Sequence, residues 1–239
     1  MRDIYELFLY SKHPSDVNDY YHILNRGNIL NTIYWWKNYE LIQGVEGDII
    51  ECGVGRGRSL ITILSIYKYL EKLDPDLDRT IYALDSFEGF PDPTEHDVSA
   101  RNSQKGDWSH SPNNEFNYSP KNLSKIVQCA DLEEELEKVK IIRGFFDKTT
   151  ANMDVDKIAI LHLDGDLYES VLRPLENLWS KISIGGIVVV DDFVLSDPEQ
   201  HKEKFPGARI AINEFLSQND KFRLMESCRG TPILVRKMD

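Results

Sequence analysis

Along residues 47–60, GDIIECGVGRGRSL, a short β-rich run from Asp48 to Cys52 meets a cluster of glycines. The stretch that follows, SLITILSIYKYLEKL, carries apolar positions at helical spacing. Together they predict a strand, a glycine turn and a helix. Further apolar runs repeat the strand signal: TIYALD at 80–85, VKIIRG at 139–144, KIAILHLDGD at 157–166 and GIVVVDDF at 186–193. Residues 121–137 and 168–181 between them read as helices. Strands alternating with helices predict a parallel sheet covered on both faces. The end of the chain breaks that alternation. FRLMES at 222–227 and TPILVRK at 231–237 are separated only by Cys228, Arg229 and Gly230, too short a gap for a parallel crossover, so the pair is a hairpin. Residues 1–45 read as helical, with Ile29, Ile33, Trp36, Leu41 and Ile42 at helical spacing and the pair Trp35–Trp36 assigned to packing.

One segment fits neither period. Residues 91–120, PDPTEHDVSARNSQKGDWSHSPNNEFNYSP, are polar and rich in Pro, Ser and Asn. A loop of that length is unusual inside a compact domain. Its place after the second strand, where a cofactor should bind, makes it a candidate active-site lid. The 239 residues fit one domain with a sizeable core. A formal net charge of −12 argues against a general binder of nucleic acid or of anionic membranes, which needs clustered Lys and Arg. No apolar run approaches the ~20 residues of a membrane span, and the N-terminus lacks the pattern of a secretory signal. Three cysteines, Cys52, Cys129 and Cys228, form no disulfide or zinc pattern and read as reduced thiols of a cytoplasmic protein.

In an open α/β sheet, ligands bind at the carboxyl ends of the strands. The first such end is Glu51-Cys52-Gly53-Val54-Gly55-Arg56-Gly57. Glycines at alternate positions let the backbone turn and approach a ligand closely, and the next helix offers unpaired N–H groups. Asp85 closes the second strand, where an acid can accept hydrogen bonds from ribose hydroxyls. A glycine turn plus a strand-end acid points to an adenosine-containing ligand. The spacing is not G-x-G-x-x-G, which disfavours a dinucleotide. S-adenosylmethionine suits the charges, with Glu51 available to its ammonium and no phosphate-binding lysine required. Ser59, at the helix start, and Ser86, after Asp85, complete the candidate cofactor residues.

Four aspartates carry the strongest chemical signal. Asp164 and Asp166 follow one apolar strand, and Asp191 and Asp192 follow another. Adjacent carboxylates directly after VVV are costly to bury without a cation or hydrogen-bond donors. Oxygen ligands suit Mg²⁺, Mn²⁺ or Ca²⁺. Asp164, Asp191 and Asp192 are the candidate metal ligands, and Asp166 is the candidate general base. A metal lowers the pKa of a bound hydroxyl, and a carboxylate within reach takes its proton. The alternative reading makes Asp166 an N-cap of the following helix and Asp192 a loop-end acid. His162, inside the strand, reads as a core histidine. His96 and His110 in the loop are open to substrate.

With these residues in place, the chain resembles the metal-dependent sugar O-methyltransferases of the macrocin O-methyltransferase family. The resemblance covers roughly residues 45–195 and rests on GDIIECGVGRGRSL, ALDSFEGFPDP, KIIRGFFDKT, the block LHLDGDLYESVLRPLENLWSKISIGGIVVVDDF and the terminal hairpin. It implies a class I methyltransferase (Rossmann-like) α/β fold with a seven-stranded sheet, a terminal antiparallel hairpin and N-terminal helices. It also implies S-adenosylmethionine and Mg²⁺, metal on Asp164, Asp191 and Asp192, the base at Asp166, ribose on Asp85, and adenine near Gly144 and Phe145. Asp164 borders the cofactor as well. The implied acceptor is a sugar hydroxyl of a glycosylated natural product, a nucleotide sugar or a polysaccharide unit. Members commonly form homo-oligomers, with N-terminal segments and the lid helping to shape the pocket. The family often has arginine where this chain has His162. A catechol-type metal-dependent methyltransferase is the nearest alternative, but such enzymes often carry a lysine near the base, which DGDLYES lacks. A nicotinamide-dependent oxidoreductase conflicts with the terminal hairpin, and a non-catalytic binding protein leaves the four acids unexplained.

Overall fold

The computed structural model describes residues 26–74, 77–111, 116–193 and 204–238. The chain runs through α1 (Arg26–Leu41), β1 (Asp48–Cys52), α2 (Arg58–Leu73), β2 (Ile81–Asp85), α3 (Pro120–Cys129), β3 (Val139–Arg143) and the single turn α4 (Phe146–Thr149). It continues with β4 (Ile158–Leu163), α5 (Tyr168–Leu178), β5 (Ile182–Val190), α6 (Pro206–Gln218), β6 (Phe222–Glu226) and β7 (Pro232–Arg236). The strands form one seven-stranded sheet in the order β3-β2-β1-β4-β5-β7-β6. The five strands from β3 to β5 are parallel, and β7 pairs antiparallel with both β5 and β6. The expected hairpin therefore closes one edge, with its second strand inserted beside β5.

Strand alternation divides the core in two. Ile49 of β1 and Ile160 of β4 pack with Tyr34 and Trp35 of α1 and Leu60 and Leu64 of α2. Ile50, Cys52 and Leu161 face the other way, toward Val171 and Leu175 of α5 and Ile212 of α6. Truncating any of these buried aliphatics to Ala costs about 2–5 kcal/mol.

The structure corrects several boundaries and adds the buried face of α1. The stretch expected as a helix over 121–137 is α3 followed by a 3₁₀ turn at Glu134–Lys138. Strand five begins at Ile182, four residues ahead of the expected start. Helix α6, which the apolar pattern did not single out, packs against α5. Of the positions noted at helical spacing, three on α1 are outward, with Ile29 43% exposed, Ile33 46% and Leu41 37%, whereas Ile42 just past its end is buried. The buried face is instead Asn31, Tyr34, Trp35, Asn38 and Tyr39. Polar atoms on aromatic and amide side chains hid that face from a hydrophobicity count. The part of the expected N-terminal helical segment at 1–25, and residues 112–115 of the expected lid, lie outside the described residues.

Candidate active site

The glycine turn is built by contact as well as by conformation. Gly53 has φ +101°, and a Cβ there would lie 1.9 Å from the carbonyl oxygen of Asp164. No side chain fits, so the ends of β1 and β4 can close on each other only with glycine at this position. The N–H of Asp164 donates to the Cys52 carbonyl at 2.9 Å, fixing the two strand ends together. Asp85 is the second tie. Its carboxylate accepts from the Gly55 N–H at 2.8 Å and from the Phe87 N–H at 2.7 Å. One acid thus joins the loops after β1 and β2. Burial raises its proton affinity, and the two N–H bonds act against that.

These strand ends open into a cavity of about 760 Å³. Of the candidate cofactor residues, Gly53, Gly55, Ser59, Asp85, Ser86, Phe145 and Asp164 line it. Gly57 and Gly144 shape neighbouring turns and are not among its lining residues. Glu51 departs from expectation. It is fully buried and sits beside His162, with Oε1 3.5 Å from Nδ1. The reason is strand parity: position 51 points with Ile49 toward the α1 layer, and Glu51 and His162 are direct neighbours in the β1–β4 register. His162 also meets the Trp35 ring edge-on, with centroids 4.8 Å apart. Burial opposes protonation of this histidine, but Glu51 overcomes it and raises the pKa above its usual value. His162 is therefore part of a buried polar layer beneath the rim.

Asp164, Asp166 and Asp192 converge, each offering a carboxylate oxygen within 4.8 Å of the others. Asp166 has φ +60°, an uncommon conformation for a residue with a side chain. Burial, followed by the neighbouring Asp191 charge, pushes the Asp164 carboxyl well above the usual range. Burial and a hydrogen bond to Asp192 do the same for Asp166. Asp192 is raised by burial, against the opposing effect of that shared bond. Three partly buried acids that resist ionising together are a donor set suited to a divalent cation. Asp191 is not one of the three, although its charge reaches them: its Oδ1 lies 3.0 Å from Arg229 Nη1. The expectation grouped Asp164, Asp191 and Asp192 and set Asp166 aside, whereas the geometry groups Asp166 with Asp164 and Asp192.

Other contributors were invisible in sequence. Arg229 sits in the β6–β7 turn, lines the cavity and lies over the Tyr34 ring at 4.8 Å. Asp166 does not cap α5. The N–H of Tyr168 donates instead to Oδ1 of Asp97, 71 residues away, at 2.7 Å. The same carboxylate accepts from Thr94 N and Oγ1 at 2.7 and 2.8 Å. The His96 and Tyr168 rings meet tilted by 39°, with centroids 4.3 Å apart, while His110 forms an isolated bridge with Asn117. The described part of 91–120 is thus tied to the rim, and Pro91, Asp92, Lys105, Trp108 and Tyr118 line the cavity. Among the described residues no helix is long and apolar enough to cross a membrane.

Comparison with known proteins agrees with this architecture. The O-methyltransferase NovP superimposes with a TM-score of 0.69 at 28% identity, covering 91% of this chain and 88% of that one. The calicheamicin methyltransferase CalS11 shares the fold, with a TM-score of 0.75 at 24% identity over 99% of this chain and 90% of that one. Demethyldecarbamoylnovobiocin O-methyltransferase of Streptomyces niveus is 32% identical over 166 residues, 67% of this chain and 60% of the relative's length. The 8-demethyl-8-(2,3-dimethoxy-alpha-L-rhamnosyl)-tetracenomycin-C 4'-O-methyltransferase of Streptomyces olivaceus is 29% identical over 80% of this chain and 69% of its own. Mycinamicin III 3''-O-methyltransferase of Micromonospora griseorubida is 27% identical over 78% of this chain and 66% of its own. Residues 37–223 match the family described as Macrocin-O-methyltransferase (TylF), and on that match this chain, with its class I methyltransferase fold, belongs to the macrocin O-methyltransferase family.

Proposed function

We propose that this chain transfers a methyl group from S-adenosylmethionine to a sugar hydroxyl, with a divalent cation at the carboxylate rim. The observation that carries the reading is the convergence of Asp164, Asp166 and Asp192 beside a glycine turn that opens into one cavity. The bare backbone at Gly53 and Gly55 and the carboxylate of Asp85 fit an adenosyl group, because a ribose can share an oxygen that already accepts N–H bonds. One relative acts, by name, on a rhamnosyl-bearing compound, which favours a sugar acceptor. A nucleotide sugar and a polysaccharide unit are acceptors of the same chemistry.

S-adenosylmethionine supplies an electrophilic methyl group, and a divalent cation lowers the pKa of an acceptor hydroxyl. Asp164, Asp191 and Asp192 would hold the cation, Asp191 being the one that is paired with Arg229. Asp166 takes the hydroxyl proton as the acceptor oxygen gains the methyl. Its left-handed backbone aims the carboxylate into the cavity from the start of α5. The outward aliphatic row Ile29, Ile33 and Leu41 supports self-association through α1; light scattering on the full chain tests it.

The decisive experiment is methyl transfer from labelled S-adenosylmethionine to glycosides, nucleotide sugars and catechols, with Mg²⁺ and with EDTA. Transfer to a sugar that EDTA stops is the expected result. Transfer to catechols alone overturns the acceptor class, and full activity in EDTA overturns the metal role.

A further inference from the structure

Two non-glycine residues in the left-handed region line the same cavity: Asp166 at φ +60° and Trp108 at φ +65°. For an aspartate that conformation is tolerable, but for a tryptophan it is an outlier that costs on the order of 1–3 kcal/mol. Such strain persists only where the surroundings over-determine it. Here they do. On one side, Phe90 N–H donates to the Asp107 carbonyl at 2.9 Å and Gly106 N–H to the Phe90 carbonyl at 3.0 Å. On the other side, Tyr118 N–H donates to the Ser109 carbonyl at 2.9 Å. Trp108 is the residue between these two ties.

Its ring gains little from burial in return. Trp108 remains 51% exposed, although a large aromatic is ordinarily drawn inward. The Arg101 guanidinium lies 5.7 Å from its centroid. Arg101 is itself held by Asp107 at 2.9 Å and Ser103 at 3.0 Å, and by the rings of Phe90 and Phe205 at 5.2 and 5.1 Å. The loop therefore spends strain to hold a rigid, half-exposed indole at the cavity. A core role would bury the ring, and a solvent role would not need it.

We infer that Trp108 is the acceptor platform of this site, a specificity-determining residue that stacks against an uncharged, C–H-bearing face of the acceptor. This rests on the methyl-transfer reading above. That face is either the sugar's own or that of the group it is attached to, and both present the same apolar surface to an indole.

Saturation-transfer NMR and titration of the full chain with methyl α-L-rhamnoside and phenyl α-L-rhamnoside test the platform. Three chains are compared: wild type, Trp108→Asn, whose side chain accepts the left-handed backbone, and Trp108→Phe, which keeps a ring. Trp108→Asn should weaken glycoside binding roughly tenfold, and Trp108→Phe should recover most of it. S-adenosylmethionine affinity by calorimetry should match wild type in both; Tm should match in Trp108→Phe and, with the backbone strain relieved, stay level or rise in Trp108→Asn. Loss confined to the phenyl glycoside assigns the face to the attached group; equal loss of both assigns it to the sugar. Unchanged glycoside affinity in Trp108→Asn, a parallel fall in Tm or cofactor affinity, or no glycoside binding by the wild type overturns the inference. Trp108-dependent glycoside binding without methyl transfer would sink the proposed reaction and leave the platform standing. Methyl transfer with Trp108-independent binding would do the reverse.

Discussion

The carboxylate rim and the loop at 91–111 line one cavity, yet they are held in different ways. At the rim, position follows from the strand ladder. Asp164 N–H bonds to Cys52 and Asp191 N–H to Leu163, so each acid's backbone continues the sheet. In the loop, few ladder bonds exist, and side chains hold the backbone: Asp97 on Tyr168, Ser99 Oγ on the Lys204 carbonyl at 2.8 Å, Arg101 among three rings. A ladder places atoms rigidly and resists substitution. A loop fastened at three or four points can change its tips without disturbing the sheet. On the proposed reading, the difference teaches that reaction chemistry is assigned to the sheet and choice of acceptor to the loop.

Substitutions at the two regions should therefore separate in kind. The largest expected effect is at the base. Asp166→Asn should lower turnover about 10²–10⁴-fold while cation binding, followed by Mn²⁺ titration, persists; Asp191→Asn should lose the cation. If Asp166→Asn loses the cation and Asp191→Asn keeps it, their roles exchange, as the metal-free grouping of Asp164, Asp166 and Asp192 allows. Next comes Gly53→Ala. Its methyl would meet backbone at 1.9 Å, so urea unfolding should show a loss of about 3 kcal/mol or more.

In the loop the effects should be smaller and local. Asp97→Ala leaves Tyr168 N–H and Thr94 N–H without their acceptor and should cost about 1–3 kcal/mol. Hydrogen exchange should rise at 91–111 while β1 and β4 stay protected, and a uniform rise would mean that the loop and the sheet are one unit. The smallest effect is on thermal stability against pH. The raised proton affinities of Asp164, Asp166 and Asp192 stabilise the metal-free fold below the ordinary carboxylate range, and that contribution is lost as pH rises through the raised range. Mg²⁺ opposes the mutual repulsion of the ionised acids. It should lift Tm more at pH 8 than at pH 6, by about 2–4 °C; an equal lift at both would remove the cation from the cluster.

Much of the site was legible from local pattern. The glycine turn, Asp85 and the paired aspartates are short motifs at strand ends, and a parallel sheet puts all strand ends on one side. Glu51 lies beneath the rim and not on the cavity wall because strand parity, which its motif position does not reveal, turns it toward α1. The helical spacing of Ile29, Ile33 and Leu41 did not reveal which face of α1 is buried, because that face is aromatic and amide-bearing. Arg229, Asp97 and Trp108 gave no sequence signal, since each gains its meaning from a partner far along the chain.

What the sequence by itself determined is therefore the order of strands, the terminal hairpin, the family and the acids that gather at the rim. These follow from period and from motifs a few residues long. Only the tertiary structure decided which aspartates meet, that Arg229 neutralises Asp191, that Asp97 caps a helix 71 residues away, and that a strained Trp108 faces the cavity. The physical reason is range. Backbone period is set by neighbours along the chain, but ion pairs, caps and strained turns are set by groups that only folding brings within a few ångströms.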